Sequence, residues 1–195
     1  MDVQQAIDKR YSCRSYINKS VKDKLIESVL ESGLKAPNSG NIQNLKFVVI
    51  RDERKKEMIA EACSQKWINE APVAIAVLSD LNSAKAVYKD KAEAYSTQNA
   101  AAAIENMLLT ATSLELGSCW VSVFDNNKIR ASLKLEPGIK PEGIITLGYS
   151  DKKESKAKRF NLSSFVFFEE WKGKQHKSLF PLKENLIDKT LKRLK

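Results

Sequence analysis

The chain has few of the side chains on which most hydrolases and metalloenzymes depend. Among its 195 residues there are one histidine and three cysteines. His176 lies in a stretch rich in lysine and glutamine, so a Ser-His-Asp or Cys-His apparatus has no well-placed base. Cys13, Cys63 and Cys119 are too far apart for a Cys-x-x-Cys pair, which leaves no recognisable zinc site. We therefore expect no metal, and reduced thiols in the cytoplasm are the simplest interpretation.

Long apolar runs are also missing. The longest, residues 71–78 with the sequence APVAIAVL, has the length of a strand and is far below the roughly 18–20 residues that span a bilayer. The first residues, MDVQQ, lack the basic and apolar regions of a secretory signal. With a hydrophobic content of 43%, residues 1–195 are expected to form one domain, without a membrane span and located in the cytoplasm.

The net charge of +9 raises the alternative of nucleic-acid binding. However, acidic residues are interspersed with the basic ones, as in RDERKKE at residues 51–57, and aromatic residues do not interleave with them. A solvated basic surface is the better interpretation, so we expect no nucleic-acid partner. The excess charge could still attract anionic nucleotides to a cleft.

Helix and strand patterns alternate along the chain. The predicted elements are a helix capped by Ser20 and ended near residue 35 by Pro37, a strand at 47–50, a helix at 53–63, a strand at 73–78, a buried helix within 97–116, a strand at 118–123, a helix at 126–133 and a strand at 143–149. The buried helix is recognisable because residues 97–116 carry only two charges, Glu105 and Glu115. These elements predict an α+β layered domain, in which a mixed sheet is flanked by helices.

The C-terminal part differs from the rest. Residues 161–180 contain an aromatic stretch, Phe165–Trp171, without helical period, and an amphipathic helix is predicted after Pro181. Such apolar surface needs a cover. It could pack on its own domain or against a second copy of the chain.

Two polar segments carry the strongest functional signal. In RYSCR, residues 10–14, an extended backbone would place Arg10, Ser12 and Arg14 on one side, a donor set that suits a phosphate monoester. In APNSGNIQ, residues 36–43, Asn41 and Gln43 would likewise share a side, and their amides suit the edge of a planar heterocycle. Phosphate and heterocycle together indicate a mononucleotide cofactor.

These segments resemble the FMN-dependent nitroreductases. RYSCR matches an Arg-x-Ser-x-Arg/Lys motif, and residues 36–47 match Ala-Pro-Ser-x-x-Asn-x-Gln-Pro-Trp-x-Phe, except that Asn44-Leu45 stands in place of Pro-Trp. The resemblance covers about residues 1–170. Further matches are Gln98-Asn99, LGSCW at 116–120, LGY at 147–149 and KAKR at 156–159.

The resemblance implies a nitroreductase-like fold, FMN as cofactor and a homodimer whose C-terminal extension is exchanged between subunits. It also implies hydride transfer from NADH or NADPH, through the flavin, to a small-molecule acceptor such as a nitroaromatic or a quinone. The flavin itself carries such chemistry, which agrees with the missing acid–base residues. Two alternatives remain open: a specialised flavin enzyme on the same scaffold, either a reductive dehalogenase or a flavin-consuming enzyme, and a non-catalytic basic module that binds nucleotides or nucleic acid.

By the same resemblance, the cofactor-binding residues would be Arg10, Tyr11, Ser12, Arg14, Pro37, Asn38, Ser39, Asn41, Gln43, Trp120, Val121, Ser122, Lys158 and Arg159. Arg10 and Ser12 would hold the phosphate, with Lys158 and Arg159 completing the grip, and Arg14 would reach toward the ribityl chain or the pyrimidine end. Residues 37–43 would come from the partner subunit, and a backbone N–H of residues 120–122 would bond to flavin N5. The simpler interpretations are solvent-facing arginines, an exposed basic loop, a turn-rich loop, a core Trp120, and helix caps at Gln98 and Asn99.

Overall fold

The computed structural model describes residues 1–152 and 158–173. Contacts divide the chain into two compact units, Met1–Ser155 and Lys156–Lys195. The sheet and the helices described below all belong to the first unit, which also contains the arginine-rich and amide-rich segments.

In the second unit, residues 158–173 contain one short 3₁₀ turn, Leu162–Ser164. Phe160 packs on Phe165 with ring centroids 6.1 Å apart, and Phe167 packs on Trp171 at 4.9 Å. The helix predicted after Pro181 lies outside the described residues.

The sheet has four strands in the order β1-β2-β4-β3, and every neighbouring pair is antiparallel. Ser12 adds one parallel bridge to Ser118, at the outer edge of β3. The α+β prediction is therefore confirmed; the four strands pair antiparallel, and the parallel part of the predicted mixed sheet is limited to the isolated bridge at Ser12. The strands are β1 (Leu45–Ile50), β2 (Val73–Asp80), β3 (Gly117–Val121) and β4 (Ile139–Gly148).

Helices cover both faces of the sheet, as the α+β prediction requires. They are α1 (Val3–Lys9), α2 (Asp23–Leu34), α3 (Glu53–Ala62), α4 (Leu81–Tyr88), α5 (Ala92–Ser113) and α6 (Asn126–Leu133). Successive strand residues point to opposite faces. In β2, Ile75 and Val77 therefore pack under α2 and α5, whereas Ala74 and Ala76 pack under α3 and α6. No helix in the described part of the chain is long and apolar enough to cross a membrane.

The predicted start of α2 is wrong. The helix begins at Asp23 with Lys22 as its N-cap, rather than at a cap formed by Ser20. The Arg51 side chain donates to the Val21 carbonyl and to the Asp23 carboxylate, which holds this entry segment in place. The end of α2 agrees with the prediction, since Lys35 is its C-cap.

Helix α5 begins earlier than predicted, at Ala92, so Gln98 and Asn99 lie inside it and are not helix caps. Leu81–Tyr88 carries no sequence prediction, yet it forms α4. Its signal is Asp80, whose carboxylate accepts hydrogen bonds from the N–H groups of Asn82 at 2.9 Å and Ser83 at 3.3 Å. Such capping is typical of Asp at a helix start.

Replacing the α4 cap should destabilise the protein in a pH-dependent way. Hydrogen bonding by Ser83 holds the pKa of Asp80 below its usual range. A lowered folded-state pKa means that the cap contributes fully above the unfolded-state pKa of about 3.9 and loses its contribution as pH falls through the folded value. Asp80→Ala should lower the free energy of unfolding by about 1 kcal/mol at pH 7.

Urea denaturation at several pH values checks this, with Asp90→Ala as the matched control because Asp90 is exposed and lies in the 3₁₀ turn after α4. The difference between Asp80→Ala and the parent should shrink as pH falls below about 3.9. An equal loss at all pH values would mean that the carboxylate charge does not act as the cap.

Candidate functional site

The first polar segment, residues 10–14, is named here the arginine segment. Arg10 leaves α1 as its C-cap with extended backbone angles, φ −58° and ψ 132°. Ser12 pairs with Ser118, and the Cys13 N–H donates to the Ser118 carbonyl at 2.9 Å. The Arg10 Nε lies 3.7 Å from Oε1 of Glu105 on α5. The extended backbone expected at Ser12 is thus present.

The chain leaves β3 after Cys13. The Ile17 N–H then donates to the carbonyl of Tyr149, the residue that follows the end of β4. Cys13 is fully buried and packs with Tyr16, as expected for a residue facing away from Ser12. The Tyr16 hydroxyl bonds to the Cys13 carbonyl at 2.9 Å and to Thr146 Oγ1 at 2.7 Å. Burial raises the pKa of Tyr16, so this hydroxyl stays neutral.

The outer residues of the arginine segment have separate environments. Tyr11 is half-buried and its hydroxyl donates to the Lys152 carbonyl at 3.2 Å. Arg14 is exposed. Because the chain turns after Cys13, the strand pairing that fixes Ser12 does not extend to Arg14.

The second polar segment, residues 38–44, is named here the amide loop. It contains a 3₁₀ turn, Ser39–Asn41, and the φ angles of Gly40, Asn41 and Gln43 are 55°, 54° and 48°. The Gln43 N–H donates to Asn38 Oδ1 at 3.0 Å, which closes the loop. The expectation that Asn41 and Gln43 share a side of an extended segment is therefore wrong, since both residues have left-handed backbone conformations.

A buried network of amides ties this loop to α5. Asn99 Oδ1 accepts from the Ser39 N–H at 2.9 Å and from the Ser39 hydroxyl at 3.1 Å. Asn99 Nδ2 donates to Asn44 Oδ1 at 3.2 Å, and Asn44 Nδ2 donates to Ser96 Oγ at 2.8 Å. Asn44, in the position of the motif's proline, is only 2% exposed. The turn is thus held by side-chain amides.

The end of β3 provides a third group of predicted residues. Trp120 is 38% exposed and lies against Gly143, where a Cβ would come 2.7 Å from the indole Nε1. Val121 is buried in the core under α3 and α6, so only its backbone is available to a ligand. Ser122 is exposed. The Ser118 hydroxyl is buried and has no hydrogen-bond partner among the described residues.

Three further predicted residues are exposed. Pro37 follows the end of α2 and precedes the amide loop. Lys158 and Arg159 belong to the second unit of the chain, so their part in the site stays a prediction.

The arginine segment and the amide loop lie at opposite corners of the sheet. Ser12 flanks β3 at one edge of the sheet, and Asn44 precedes β1 at the other edge. Four interstrand spacings separate them, a distance of about 19 Å across the sheet. Along β2, the arginine segment is level with Val73 and the amide loop with Ser79. The six residue steps from Val73 to Ser79 correspond to about 20 Å along the strand.

The donors around Ser12 suit a phosphate-bearing group. Arg10 uses Nε toward Glu105, and its two terminal nitrogens have no protein partner in the described ranges. In the bridge, the Ser12 and Ser118 side chains lie on the same face, so the buried Ser118 hydroxyl adjoins Ser12. A guanidinium and hydroxyls in one place form a donor set for an anion. The residues present therefore fit the phosphate end of a mononucleotide.

Several residues of this region had no role in the sequence predictions. Glu105 had a usable signal, because it is one of two charges in an otherwise neutral helix. Asn44 and Ser96 had none, because their contacts join positions 52 residues apart. Tyr88 was also missed, because its contact with Gly40 joins positions far apart in the sequence. A Cβ added at Gly40 would lie 2.2 Å from the Tyr88 hydroxyl oxygen.

Comparison with known proteins decides the family. The sequence model of the Nitroreductase family matches residues 7–70 and 59–149. The chain belongs to the nitroreductase family. A relative from Archaeoglobus fulgidus named as an NADH dehydrogenase/NAD(P)H nitroreductase is 33% identical over 146 residues, covering 72% of this chain and 80% of that protein. A relative of the same name from Methanothermobacter thermautotrophicus is 30% identical over 154 residues, 76% and 78% of the two chains.

A solved nitroreductase structure agrees with this membership. The protein, from Desulfovibrio desulfuricans and in complex with FMN, superimposes with a TM-score of 0.75 at 30% identity, covering 88% of this chain and 98% of that one. The predicted nitroreductase-like fold is thus confirmed.

Adding a side chain at Gly40 should disturb the amide loop of this nitroreductase in two separable ways. Left-handed backbone disfavours Ala by about 1 kcal/mol, and the new Cβ would also collide with the Tyr88 hydroxyl. Gly40→Ala should therefore lower the free energy of unfolding by more than ~1 kcal/mol. Adding Tyr88→Phe should restore the part that comes from the collision.

Urea denaturation of the two single variants and the double variant gives the coupling between these positions. Tyr88→Phe alone is the control, and we expect it to be close to neutral. If the double variant is as unstable as the sum of the single variants, the Tyr88 hydroxyl does not restrict Gly40.

Proposed function

We propose that this nitroreductase binds FMN and transfers hydride from NADH or NADPH to a small electron-poor acceptor, such as a nitroaromatic or a quinone. The observation that carries the proposal is the donor set at Ser12: among the described residues, the two terminal nitrogens of Arg10 and the buried Ser118 hydroxyl have no partner. The NAD(P)H nitroreductase names of its relatives and the FMN complex of the Desulfovibrio protein support it.

The residues would share the work of binding. Arg10 and Ser12 would hold the phosphate, with Lys158 and Arg159 adding positive charge. Arg14 would reach the ribityl chain or the pyrimidine end, and a backbone N–H among residues 120–122 would donate to the ring. When bound, FMN supplies the site that accepts a hydride and passes it on. The protein then needs only to bind, orient and polarise its ligands.

Side-chain nucleophiles give no competing proposal. Cys13, Cys63 and Cys119 are all buried. Burial raises the pKa of Cys63 to about 11, which keeps it a thiol at neutral pH. A covalent mechanism through these cysteines is therefore disfavoured.

Glu105 should orient Arg10 without blocking it. The carboxylate faces Nε, and the terminal nitrogens stay available for a bidentate contact with phosphate. The Glu105 side chain is 50% exposed, so solvent weakens this ion pair. A phosphate dianion could therefore bind to Arg10 while the Glu105 contact persists.

We further propose that two subunits complete each flavin site. The arginine segment and the amide loop of one chain lie about 19 Å apart across the sheet and about 20 Å apart along it. These distances separate the backbone at Ser12 from the backbone at Asn44 in the same chain. A partner subunit could bring its own amide loop to the flavin, as the family resemblance implies.

The aromatic stretch Phe165–Trp171 supports an association of this kind. Phe165 is 64% exposed and Trp171 is 79% exposed. Neighbouring exposed rings of this size are typical of interaction surfaces. A homodimer in which the C-terminal extension crosses to the partner would cover them.

The function is tested by mixing the FMN-reconstituted protein anaerobically with NADH or NADPH. Bleaching of the flavin absorption band, followed by its return on addition of a nitroaromatic or a quinone, is the expected result. Mass spectrometry of the released cofactor should give FMN and not FAD, because the chain has no Gly-x-Gly-x-x-Gly turn for a pyrophosphate. No flavin after reconstitution, or bound flavin that neither nucleotide reduces, would contradict the proposal.

Mixed dimers should reveal whether the site is shared. Arg10→Ala should weaken FMN binding by more than ~1.5 kcal/mol, the scale of a lost charge-assisted hydrogen bond, while Lys9→Ala should not. If Gln43→Ala also weakens binding, a heterodimer of the two variants contains one site with both changes and one with neither. Co-expression with two affinity tags should therefore restore tight binding at half the sites, measured by flavin fluorescence titration.

A site built within one chain predicts the opposite. Each half of the mixed dimer would then carry one damaged site, and no tight binding would return. The homodimers of each variant, purified in parallel, are the controls.

A further inference from the structure

Asn41 and Gln43 hold strained conformations with their side chains exposed. Both have positive φ angles, 54° and 48°, which residues other than glycine rarely adopt. Both residues are exposed, and their side-chain amides have no described hydrogen-bond partner. Strained backbone persists only where the surrounding structure imposes it, and it is common in ligand-binding loops. The source of this constraint is therefore of functional interest.

The constraint comes from α5 rather than from the loop alone. Within the loop, one side-chain bond joins Asn38 to Gln43. All other side-chain anchors lead to the buried pair Asn44 and Asn99, through Ser39 at one end and Ser96 at the other. Asn99 is 3% exposed and lies inside α5, so its position is fixed by the helix.

The two amides are matched in a way that fixes their orientation. Asn99 Oδ1 accepts twice from Ser39, so its Nδ2 must face Asn44 Oδ1. Asn44 then turns its Nδ2 toward Ser96 Oγ and, at 3.4 Å, toward the Asp80 carbonyl. Reversing either amide would set two carbonyl oxygens or two NH₂ groups against each other. The network therefore permits one arrangement.

We propose that Asn99, acting through Ser39 and Asn44, is a positioning residue that holds the amide loop in its flavin-binding conformation. This inference rests on the proposed FMN site. Asn99 itself is buried beneath the loop, and only 3% of it is exposed. Its role is to keep the exposed amides of Asn41 and Gln43 where a flavin ring edge can meet them, so that the ordering of the loop precedes binding.

The test compares two leucine variants on the same helix. Asn99→Leu keeps the side-chain size but leaves the Ser39 donors and Asn44 Oδ1 without partners. Asn106→Leu is the matched control, because Asn106 also lies on α5 and its Nδ2 donates to the Ser32 carbonyl at 3.1 Å, away from the loop. Both variants should unfold at lower temperature, since both lose a hydrogen bond.

Of the two variants, only Asn99→Leu should change the binding and the absorption spectrum of FMN. Its dissociation constant for FMN should rise at least about tenfold, the consequence of losing buried hydrogen bonds worth about 1.4 kcal/mol, and the visible absorption bands of the bound flavin should shift toward those of free FMN. Asn106→Leu should bind FMN like the parent protein.

Each outcome is decisive. If the parent protein binds FMN and Asn99→Leu binds it equally well, with unchanged spectra, Asn99 is merely structural. Equal losses in Asn99→Leu and Asn106→Leu would also overturn the inference, because general destabilisation would explain both. If Asn99→Leu fails to fold, Ser96→Ala removes one bond of the same network and should raise the dissociation constant about threefold. Failure of the parent protein to bind FMN would instead overturn the proposed function.

Discussion

A buried amide must find a partner for each of its polar atoms, and this constraint on α5 determines the shape of the candidate site. Asn99 lies within a helix that packs against the sheet, so its bonds to Ser39 and Asn44 attach a surface loop to the core. Six residues further along the same helix, Oε1 of Glu105 lies 3.7 Å from Nε of Arg10. One rigid element therefore supports both polar segments, although 23 residues separate them in sequence.

The sheet order then decides what each segment can do. With β1 and β3 at opposite edges, the two segments are held on one helix but at different corners. In the proposed dimer, a ligand that contacts both segments would be bound between two copies of the chain. Such a ligand stabilises only the associated state, so cofactor binding and association become thermodynamically linked. In this arrangement the cofactor would contribute to the stability of the dimer as well as to its chemistry.

Much of the fold could be predicted from the sequence, because the patterns that carried it are local. The apolar run at residues 71–78 predicted β2, and the stretch around Ile104 with few charges predicted α5. The start of α2 could not be predicted, because it depends on a side chain from Arg51. The extended conformation predicted for the amide loop was wrong because side chains decide it. Hydrogen bonds to Asn38 and Asn99 hold Asn41 and Gln43 out of the extended backbone that their alternation suggested.

The composition of the candidate site was easier to predict than its geometry. A motif specifies which donors are present, and Arg10 and Ser12 followed from it directly. The neighbours that complete their environment, Glu105 and Ser118, come from distant elements brought near by packing. The sequence analysis gave neither residue a role, although Glu105 is a charge within an apolar helix and Ser118 belongs to the matched LGSCW segment.

The far side of the arginine segment explains why its donors remain available to a ligand. There the chain is anchored by a neutral hydroxyl, since Tyr16 bonds to the Cys13 carbonyl and to Thr146, and its raised pKa keeps it uncharged. Cys13 packs beside it and is fully buried. The anchoring therefore adds no anion beside Ser12, and within residues 1–152 and 158–173 only Glu105 forms an ion pair with Arg10. A segment fixed from behind by neutral bonds keeps its positive potential for what binds in front, which in a chain of net charge +9 favours an anionic nucleotide.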